Sequence, residues 1–291
     1  MIIVDYSGIA IAAIFSQDRP EEIQEGLIRH MILNTIRRYN IKFRDEYGKM
    51  IIACDNTSWR KEQFKHYKAK RKSNRDESPL DWTKFFTLLN GIRDEIAIEM
   101  PYPVVHVERA EADDVIATLV ESTQEFGQNE PVMIVSSDKD FIQLHRYSNV
   151  KQFSPMKRAM LKVDDPNFYK FDHICRGDVS DGVPNMLSAD DTFITEGVRQ
   201  TPMRAKKIKE WYKAYPNLCE EGVMTQELYR NYCRNKLMID LDCIPIDLRQ
   251  SIMDKYKSQQ GKKNDKVFNY LITKRCNLLV ESAKDFFVNE S

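Results

Sequence analysis

Four short apolar runs in the first half of the chain each lead into acidic residues, and this pattern constrains the fold more than any other feature. The runs cover residues 1–4, 50–54, 104–107 and 132–137. They are rich in β-branched residues and alternate with helical patterns at 21–39, 81–99 and 111–123, which predicts buried parallel strands joined by helices. We therefore expect an α/β fold, with a central, mostly parallel sheet flanked by helices.

Acids that follow parallel strands meet at one edge of the sheet, where open parallel sheets bind their ligands. Crowded carboxylates resist ionisation unless a cation compensates their charge. Carboxylate oxygens favour hard cations such as Mg²⁺ or Mn²⁺. The sequence therefore predicts a divalent-metal site suited to phosphoryl transfer. Its candidate ligands in the first half of the chain are Asp5, Asp55, Glu111, Asp113, Asp114, Asp138 and Asp140.

Two acidic motifs also allow a purely structural interpretation. Residues 111–114 open a predicted helix, where acids complement the helix dipole without any ligand. Residues 177–184 have the Gly, Asp, Ser and Pro composition of an ordinary loop. The same loop could instead supply Asp178 and Asp181 as a further carboxylate pair. Residue chemistry alone leaves both alternatives open.

The charges of the chain balance, with 44 Lys and Arg against 44 Asp and Glu, but they are segregated. Residues 59–75 hold eight Lys or Arg and one acid, interleaved with aromatic residues. Cations among aromatic rings suit contact with phosphates and bases, so this stretch predicts nucleic-acid binding. A second basic group starts at Arg204. The candidate nucleic-acid-binding residues are Arg60, Lys65, Tyr67, Lys68, Lys70, Arg71, Lys72, Arg204, Lys206 and Lys207.

Strand-like runs end near residue 172, which predicts two domains. Residues 1–172 form the α/β domain, and residues 173–291 form a helical domain. The helical patterns in the second part cover residues 204–214, 225–238, 246–257, 264–273 and 276–287. No apolar stretch approaches the ~18 residues of a membrane span, and the start lacks a signal-peptide pattern. The six cysteines show no paired spacing, so we expect reduced thiols in a cytoplasmic protein.

Taken in order, the acidic motifs resemble those of the 5′-nuclease (flap endonuclease) superfamily. The series is Asp5, Asp55, Glu111-Ala-Asp113-Asp114, Ser-Ser-Asp138-x-Asp140 and Gly177-Asp178-x-x-Asp181. The nearer match is the phage branch, the T-even-type ribonucleases H, supported by Tyr67-Lys68-x-x-Arg71 within the basic stretch. The resemblance covers nearly the whole chain. It implies a PIN-like nuclease domain with a basic arch at about residues 59–80 and a C-terminal helix-hairpin-type DNA-binding region.

The resemblance also implies roles for individual residues. The seven acids of the first half would carry one Mg²⁺ and share a second, with Asp178 and Asp181 completing the second site; Mn²⁺ is a possible substitute. Asp113 and Asp138 would be central to catalysis. Lys68 and Arg71 would neutralise the scissile phosphate, and Tyr67 would stack on the terminal base. The basic group at Arg204 would grip duplex DNA.

The expected activity is that of a Mg²⁺-dependent 5′→3′ exonuclease and flap endonuclease. It would act on RNA or DNA 5′ ends annealed to DNA and remove primers from lagging-strand fragments in a phage-infected cell. The implied partners are branched or nicked DNA, RNA–DNA duplex, a single-strand DNA-binding protein and a sliding clamp, for a monomer without membrane contact. Two rival functions stay open: a PIN-type single-strand endoribonuclease and a non-catalytic, structure-specific DNA-binding protein.

Overall fold

The chain folds around one six-stranded sheet in the order β3-β2-β1-β4-β5-β6. The computed structural model describes residues 1–16, 22–125, 128–220, 222–261 and 266–287. The strands are β1 (Ile2–Asp5), β2 (Met50–Ala53), β3 (Val104–Val105), β4 (Val132–Val135), β5 (Val150–Ser154) and β6 (Ala159–Leu161). The neighbouring pairs β3–β2, β2–β1, β1–β4 and β4–β5 are parallel, and β6 is antiparallel to β5. The predicted mostly parallel sheet is confirmed.

Helices connect and cover these strands. They are α1 (Tyr6–Phe15), α2 (Glu25–Tyr47), α3 (Arg60–Gln63), α4 (Lys70–Asp76), α5 (Trp82–Glu99), α6 (Ala112–Ser122), α7 (Pro166–Arg176), α8 (Ala205–Ala214), α9 (Gln226–Ile239), α10 (Ile246–Ser258), α11 (Val267–Thr273) and α12 (Asn277–Val280). The predicted helical regions all contain helix, although residues 21, 264–265 and 288–291 lie outside the described part of the chain. No helix within that part is long and apolar enough to cross a membrane.

Both faces of the sheet are covered by apolar residues, and the C-terminal part contributes to both. One core includes Ile2, Ile52 and residues of α2 and α5, with Leu271 and Phe286 from the end of the chain. The opposite core joins Ile3 and residues of α6 to Leu248 and Ile252 of α10. Parts of the predicted second domain thus pack directly on the sheet.

A third apolar cluster lies in the C-terminal half. It contains Phe171 of α7, Trp211 of α8 and Tyr232 of α9, together with Phe64 and Tyr67 of the basic arch. The arch is therefore anchored to this helical region through two aromatic rings. Between α7 and α8, residues 177–204 form turns and one isolated antiparallel bridge, Asp178–Val183. The domain boundary near residue 172 and the helix-hairpin region stay predictions.

Candidate metal and nucleic-acid site

The acids converge where the order of the sheet reverses. β1 pairs with both β2 and β4, so the carboxyl ends of these two pairs form the ligand-binding edge of the sheet. Asp5 ends β1 and caps α1: its Oδ1 accepts from the Gly8 nitrogen at 2.9 Å, and its Oδ2 accepts from the Ser136 hydroxyl at 2.9 Å. A side chain at position 8 would bring a Cβ to 2.8 Å from Asp5 Oδ2, so a larger residue there would displace the Asp5 carboxylate.

Three acids from α6 and from the turn after β4 form the first candidate metal group, here named the sheet-edge acids: Asp113, Asp138 and Asp140. One carboxylate oxygen from each lies within 4.8 Å of the others. Loss of hydration, followed by the charge of Asp138, raises the pKa of Asp140 to about 7 and raises that of Asp113 well above its usual range. Loss of hydration and the charge of Asp55 raise the pKa of Asp5 to about 6. Such acids favour a cation among them.

A second group shares Asp140 with the first and adds His173 and Asp178. One ligand atom of each lies within 4.8 Å of the others. His173 Nδ1 is 3.7 Å from Asp140 Oδ1, and its Nε2 is 3.4 Å from Asp178 Oδ2. Burial alone would lower the pKa of His173, but the facing carboxylates of Asp178 and Asp140 raise it. Sequence reasoning missed His173, because a single histidine in a helix has no metal-ligand spacing; its place one turn before the Gly177-Asp178 motif was the available signal.

Glu111 and Asp181, here named the arch-facing acids, are bound by positive side chains instead. Glu111 is buried; its Oε1 accepts from Lys68 Nζ, and its Oε2 accepts from Arg60 at 3.0 Å and from the Tyr67 hydroxyl at 3.0 Å. Burial opposes ionisation of Glu111, but the charges of Lys68 and Arg60 outweigh it and lower the pKa to about 2. This carboxylate is already neutralised by the protein.

Asp181 completes the contact between the arch and the loop at residues 178–183. Its Oδ1 accepts from Arg71 at 2.6 Å, and its Oδ2 accepts from the Tyr67 hydroxyl at 2.7 Å and lies 3.3 Å from Lys68 Nζ. The backbone nitrogen of Lys68 donates to the backbone carbonyl of Asp181 at 2.7 Å. Gly182, with φ of +74°, lies so close that a Cβ would be 2.9 Å from the His66 carbonyl oxygen. Lys68 and Arg71 are thus held beside the acids.

Three predicted site residues are buried and engaged by protein partners, and their predicted roles stay predictions. Asp114 is fully buried: its Oδ1 binds Arg60 at 2.9 Å and Trp59 at 3.3 Å, and its Oδ2 caps the Glu111 nitrogen at 2.9 Å. Both of its oxygens are thus engaged by protein donors. Arg60 and Tyr67 were expected to contact nucleic acid, but both are buried and bonded to acids. Arg60 also donates to the Met238 carbonyl, so it ties the arch to α9.

The remaining basic candidates lie on the surface. Lys65, Lys70 and Arg71 are exposed along the arch, while the side chain of Lys72 lies outside the described part of the structure. At the start of α8, Arg204, Lys206 and Lys207 are exposed as well. All these described side chains are open to solvent and able to meet phosphates.

Two grooves flank the acids. The arch-side groove, of about 650 Å³, is lined by the acids Asp55 and Glu111 and by the cations Lys61, Lys65 and Arg75. The Asp55 Oδ1 accepts from the Ala112 nitrogen at 2.8 Å, which fixes it at the start of α6. The opposite groove, of about 1130 Å³, contains Asp5, the Asp138–Asp140 turn, His173 and Asp178. Its further lining includes Tyr39 and Met156 and the cations Arg38, Lys42 and Arg158, none of which sequence reasoning had selected.

Two family models together match almost the whole chain. Residues 1–170 match the 5′-3′ exonuclease N-terminal resolvase-like domain, and residues 166–286 match the T4 RNase H C-terminal domain. Ribonuclease H of Enterobacteria phage T4 is 32% identical over 296 residues, covering 98% of this chain and 95% of that protein. DNA polymerase I of Bacillus caldotenax is 27% identical over 147 residues, covering 50% of this chain and 16% of that protein.

Solved structures of the bacteriophage T5 enzyme share the fold. Its flap endonuclease, in a complex with DNA and metal ions, matches with a TM-score of 0.65 and 15% identity, covering 90% of this chain and 99% of that one. The T5 5′-exonuclease with bound zinc matches with a TM-score of 0.64 and 17% identity, covering 89% of this chain and 97% of that one. At these identities the likeness concerns the fold.

Proposed function

The chain belongs to the 5′-3′ exonuclease family and carries the C-terminal domain of T4 ribonuclease H, and from this premise we propose that it is a Mg²⁺-dependent 5′→3′ exonuclease and flap endonuclease. Its substrates would be RNA or DNA 5′ ends annealed to a DNA strand. Removal of primers from lagging-strand fragments in the cytoplasm of a phage-infected cell is the proposed task.

The observation that carries this proposal is the crowding of acids at the reversal point of the sheet. The sheet-edge acids come from α6 and from the turn after β4, and burial and the charge of Asp138 raise the pKa values of Asp113 and Asp140. An all-oxygen donor set of this kind fits Mg²⁺ or Mn²⁺. When bound, two divalent ions supply the positive charge that activates a water and stabilises the leaving oxygen of an in-line displacement.

The chain's own residues position the substrate around that charge. Lys68 and Arg71 lie within reach of the acids, where their cations can neutralise a phosphate that arrives between arch and sheet edge. Asp138 is fixed by its own turn, since its Oδ1 accepts from the Asp140 nitrogen at 2.9 Å. Gln152 is fully buried and donates to the Ser136 carbonyl at 3.0 Å, which holds the turn against β5. A preorganised carboxylate loses little freedom when its ligand binds.

The two grooves suggest how a strand crosses the site. A single-stranded 5′ end would lie in the arch-side groove, against Lys61, Lys65 and Arg75. The strand on the other side of the scissile phosphate would continue into the larger groove, and the exposed cations at the start of α8 would contact the duplex backbone. Single-strand DNA-binding protein and a sliding clamp are proposed partners from the family, and the chain is proposed to act as a monomer.

The test is cleavage of a 5′-flap duplex labelled at both ends, with Mg²⁺, with Mn²⁺ and with EDTA. We expect metal-dependent products cut at the junction or shortened stepwise from the 5′ end, and none in EDTA. Cleavage of unstructured RNA without preference for a junction would instead support the PIN-type endoribonuclease. Tight binding without product in any metal would support the non-catalytic DNA-binding protein.

A further inference from the structure

The second metal group contains a nitrogen donor beside its carboxylates. His173 is on the last turn of α7, and its ring stands between Asp140 and Asp178, with side chains that are each about one-fifth exposed. The sheet-edge acids, by contrast, offer only oxygen. The two groups share Asp140 but differ in chemistry, and this difference is where metal selectivity can arise.

Hydrogen bonding within the protein does not satisfy the imidazole. A neutral imidazole has one N–H, yet both ring nitrogens face carboxylate oxygens, at 3.4 and 3.7 Å. Both distances exceed those of ordinary hydrogen bonds. The Nε2 atom is buried and has no hydrogen-bond partner of ordinary geometry among the described residues. Two ring nitrogens that both face carboxylates need positive charge between them, and a bound metal ion can supply it in place of a second ring proton.

The spacing of the donors suits a shared ion. Two donor atoms that bind one ion at about 2.1 Å lie about 3.0–3.4 Å apart, close to the 3.4 Å between His173 Nε2 and Asp178 Oδ2. The Asp178 Oδ1 is already occupied, since it accepts from the Ser180 nitrogen and hydroxyl at 2.7 Å each. That anchoring turns Oδ2 toward the histidine.

The carboxylate predicted to complete this site is engaged elsewhere. Asp181 is bonded to Arg71, Tyr67 and Lys68, which use both of its oxygens. Asp178 therefore lacks Asp181 as its partner and has His173 instead. Resting on the proposed function, we infer that His173 is a ligand of the second divalent ion and that its nitrogen makes this site favour Mn²⁺ over Mg²⁺, because imidazole binds first-row transition ions better than Mg²⁺.

Pulsed electron paramagnetic resonance of the Mn²⁺-loaded protein tests this inference directly, since coupling to ¹⁴N reports nitrogen in the coordination sphere. The variants are His173→Gln and, as a matched control, His145→Gln. His145 is also half-buried but bonds to Gln152 at 3.1 Å rather than to an acid. We expect ¹⁴N coupling in the wild type and in H145Q, and its loss in H173Q. Competition calorimetry should show the preference for Mn²⁺ over Mg²⁺ falling about tenfold in H173Q.

Each outcome separates this inference from the proposed function. Two bound Mn²⁺ ions without ¹⁴N coupling in the wild type would overturn the role of His173 and leave the nuclease proposal standing. Coupling that persists in H173Q would assign the nitrogen to another residue. A wild-type chain that binds no Mn²⁺ would contradict both. The wild-type measurement decides even if H173Q fails to fold.

Discussion

The acidic site has two halves that contain the same residue types in opposite electrostatic states. In the arch-facing half, Lys68, Arg60 and Arg71 neutralise the carboxylates, and the pKa of Glu111 falls to about 2. In the sheet-edge half, acids face acids, and the pKa of Asp140 rises to about 7. The difference teaches that the positive charge present around a carboxylate, rather than its motif, decides whether it needs an added metal ion.

Neutralising a sheet-edge acid should have the largest effect. Asp138→Asn removes a charge that the cation requires, so cleavage of a 5′ flap should fall by at least about a thousandfold. Binding of flap DNA should persist or tighten, because the acid repels phosphates. Rates under single turnover and binding by fluorescence anisotropy check this, with Asp164→Asn, an exposed acid outside the site, as control. Retained activity in D138N would contradict the claim that the sheet-edge acids need a metal ion for cleavage.

Lys68 should matter to rate more than to affinity. Its Nζ lies between Glu111 and Asp181, where a phosphate would meet it. Lys68→Ala should lower the single-turnover rate about 100-fold, as expected for loss of one charge-stabilising group. Duplex affinity should change little. An unchanged rate with weakened binding would make Lys68 an ordinary backbone contact.

The same chemical change should have opposite effects on stability in the two halves. Glu111→Gln leaves buried cations without their partner and should lower the free energy of unfolding by about 3 kcal/mol. Asp140→Asn relieves repulsion among the sheet-edge acids and should raise the free energy of unfolding in EDTA by roughly 2 kcal/mol. Denaturant unfolding of both variants checks this pair. Changes of the same sign would contradict the assigned charge states.

The pH dependence of stability should also differ between the sheet-edge and the arch-facing acids. Asp140 holds its proton more tightly in the folded than in the unfolded chain, so the protonated carboxyl stabilises the fold at low pH. This contribution to stability is lost as the pH rises from 3.8 to about 7. Glu111 has the opposite sign: its contribution is present above 4.5 and is lost as the pH falls toward about 2. In EDTA, the melting temperature should therefore fall less steeply with rising pH in D140N than in the wild type between pH 4.5 and 7.5. Parallel curves of melting temperature against pH would exclude Asp140 as the source of this pH dependence.

The smallest effect is expected on the outer surface of the arch. Lys70 is exposed and forms no ion pair within the described residues, so its ammonium group is available to a phosphate of the substrate. Lys70→Ala should leave the cleavage rate of bound substrate unchanged. The slope of log affinity against log salt should flatten by about one unit. A slope equal to that of the wild type would remove Lys70 from the interface.

The sheet and the acids at its strand ends could be predicted because both are local features. An apolar run followed by Asp5 or Asp138 specifies a buried strand and the edge at which it ends. Helix α1 and strand β6 were not predicted. The α1 sequence is apolar on nearly all sides, so it lacks the periodicity of a surface helix. The edge strand β6 is three partly exposed residues long, too short for a clear alternation.

The assignment of individual acids could not be predicted, because it depends on contacts between distant segments. Asp113 and Asp114 are adjacent, yet about 100° separates them around α6, so one faces the site and the other faces Arg60. Burial of Tyr67 depends on the cluster with Phe171 and Tyr232, more than 100 residues away. His173 joins the acids only once α7 packs beside the turn at Asp140.

The most direct test of the central claim is anomalous diffraction from crystals soaked in Mn²⁺. The contrast between the two halves predicts a Mn²⁺ ion among Asp113, Asp138 and Asp140, with Lys68 still paired to Glu111. A Mn²⁺ ion between Glu111 and Asp181 in place of Lys68, with none among the sheet-edge acids, would contradict it.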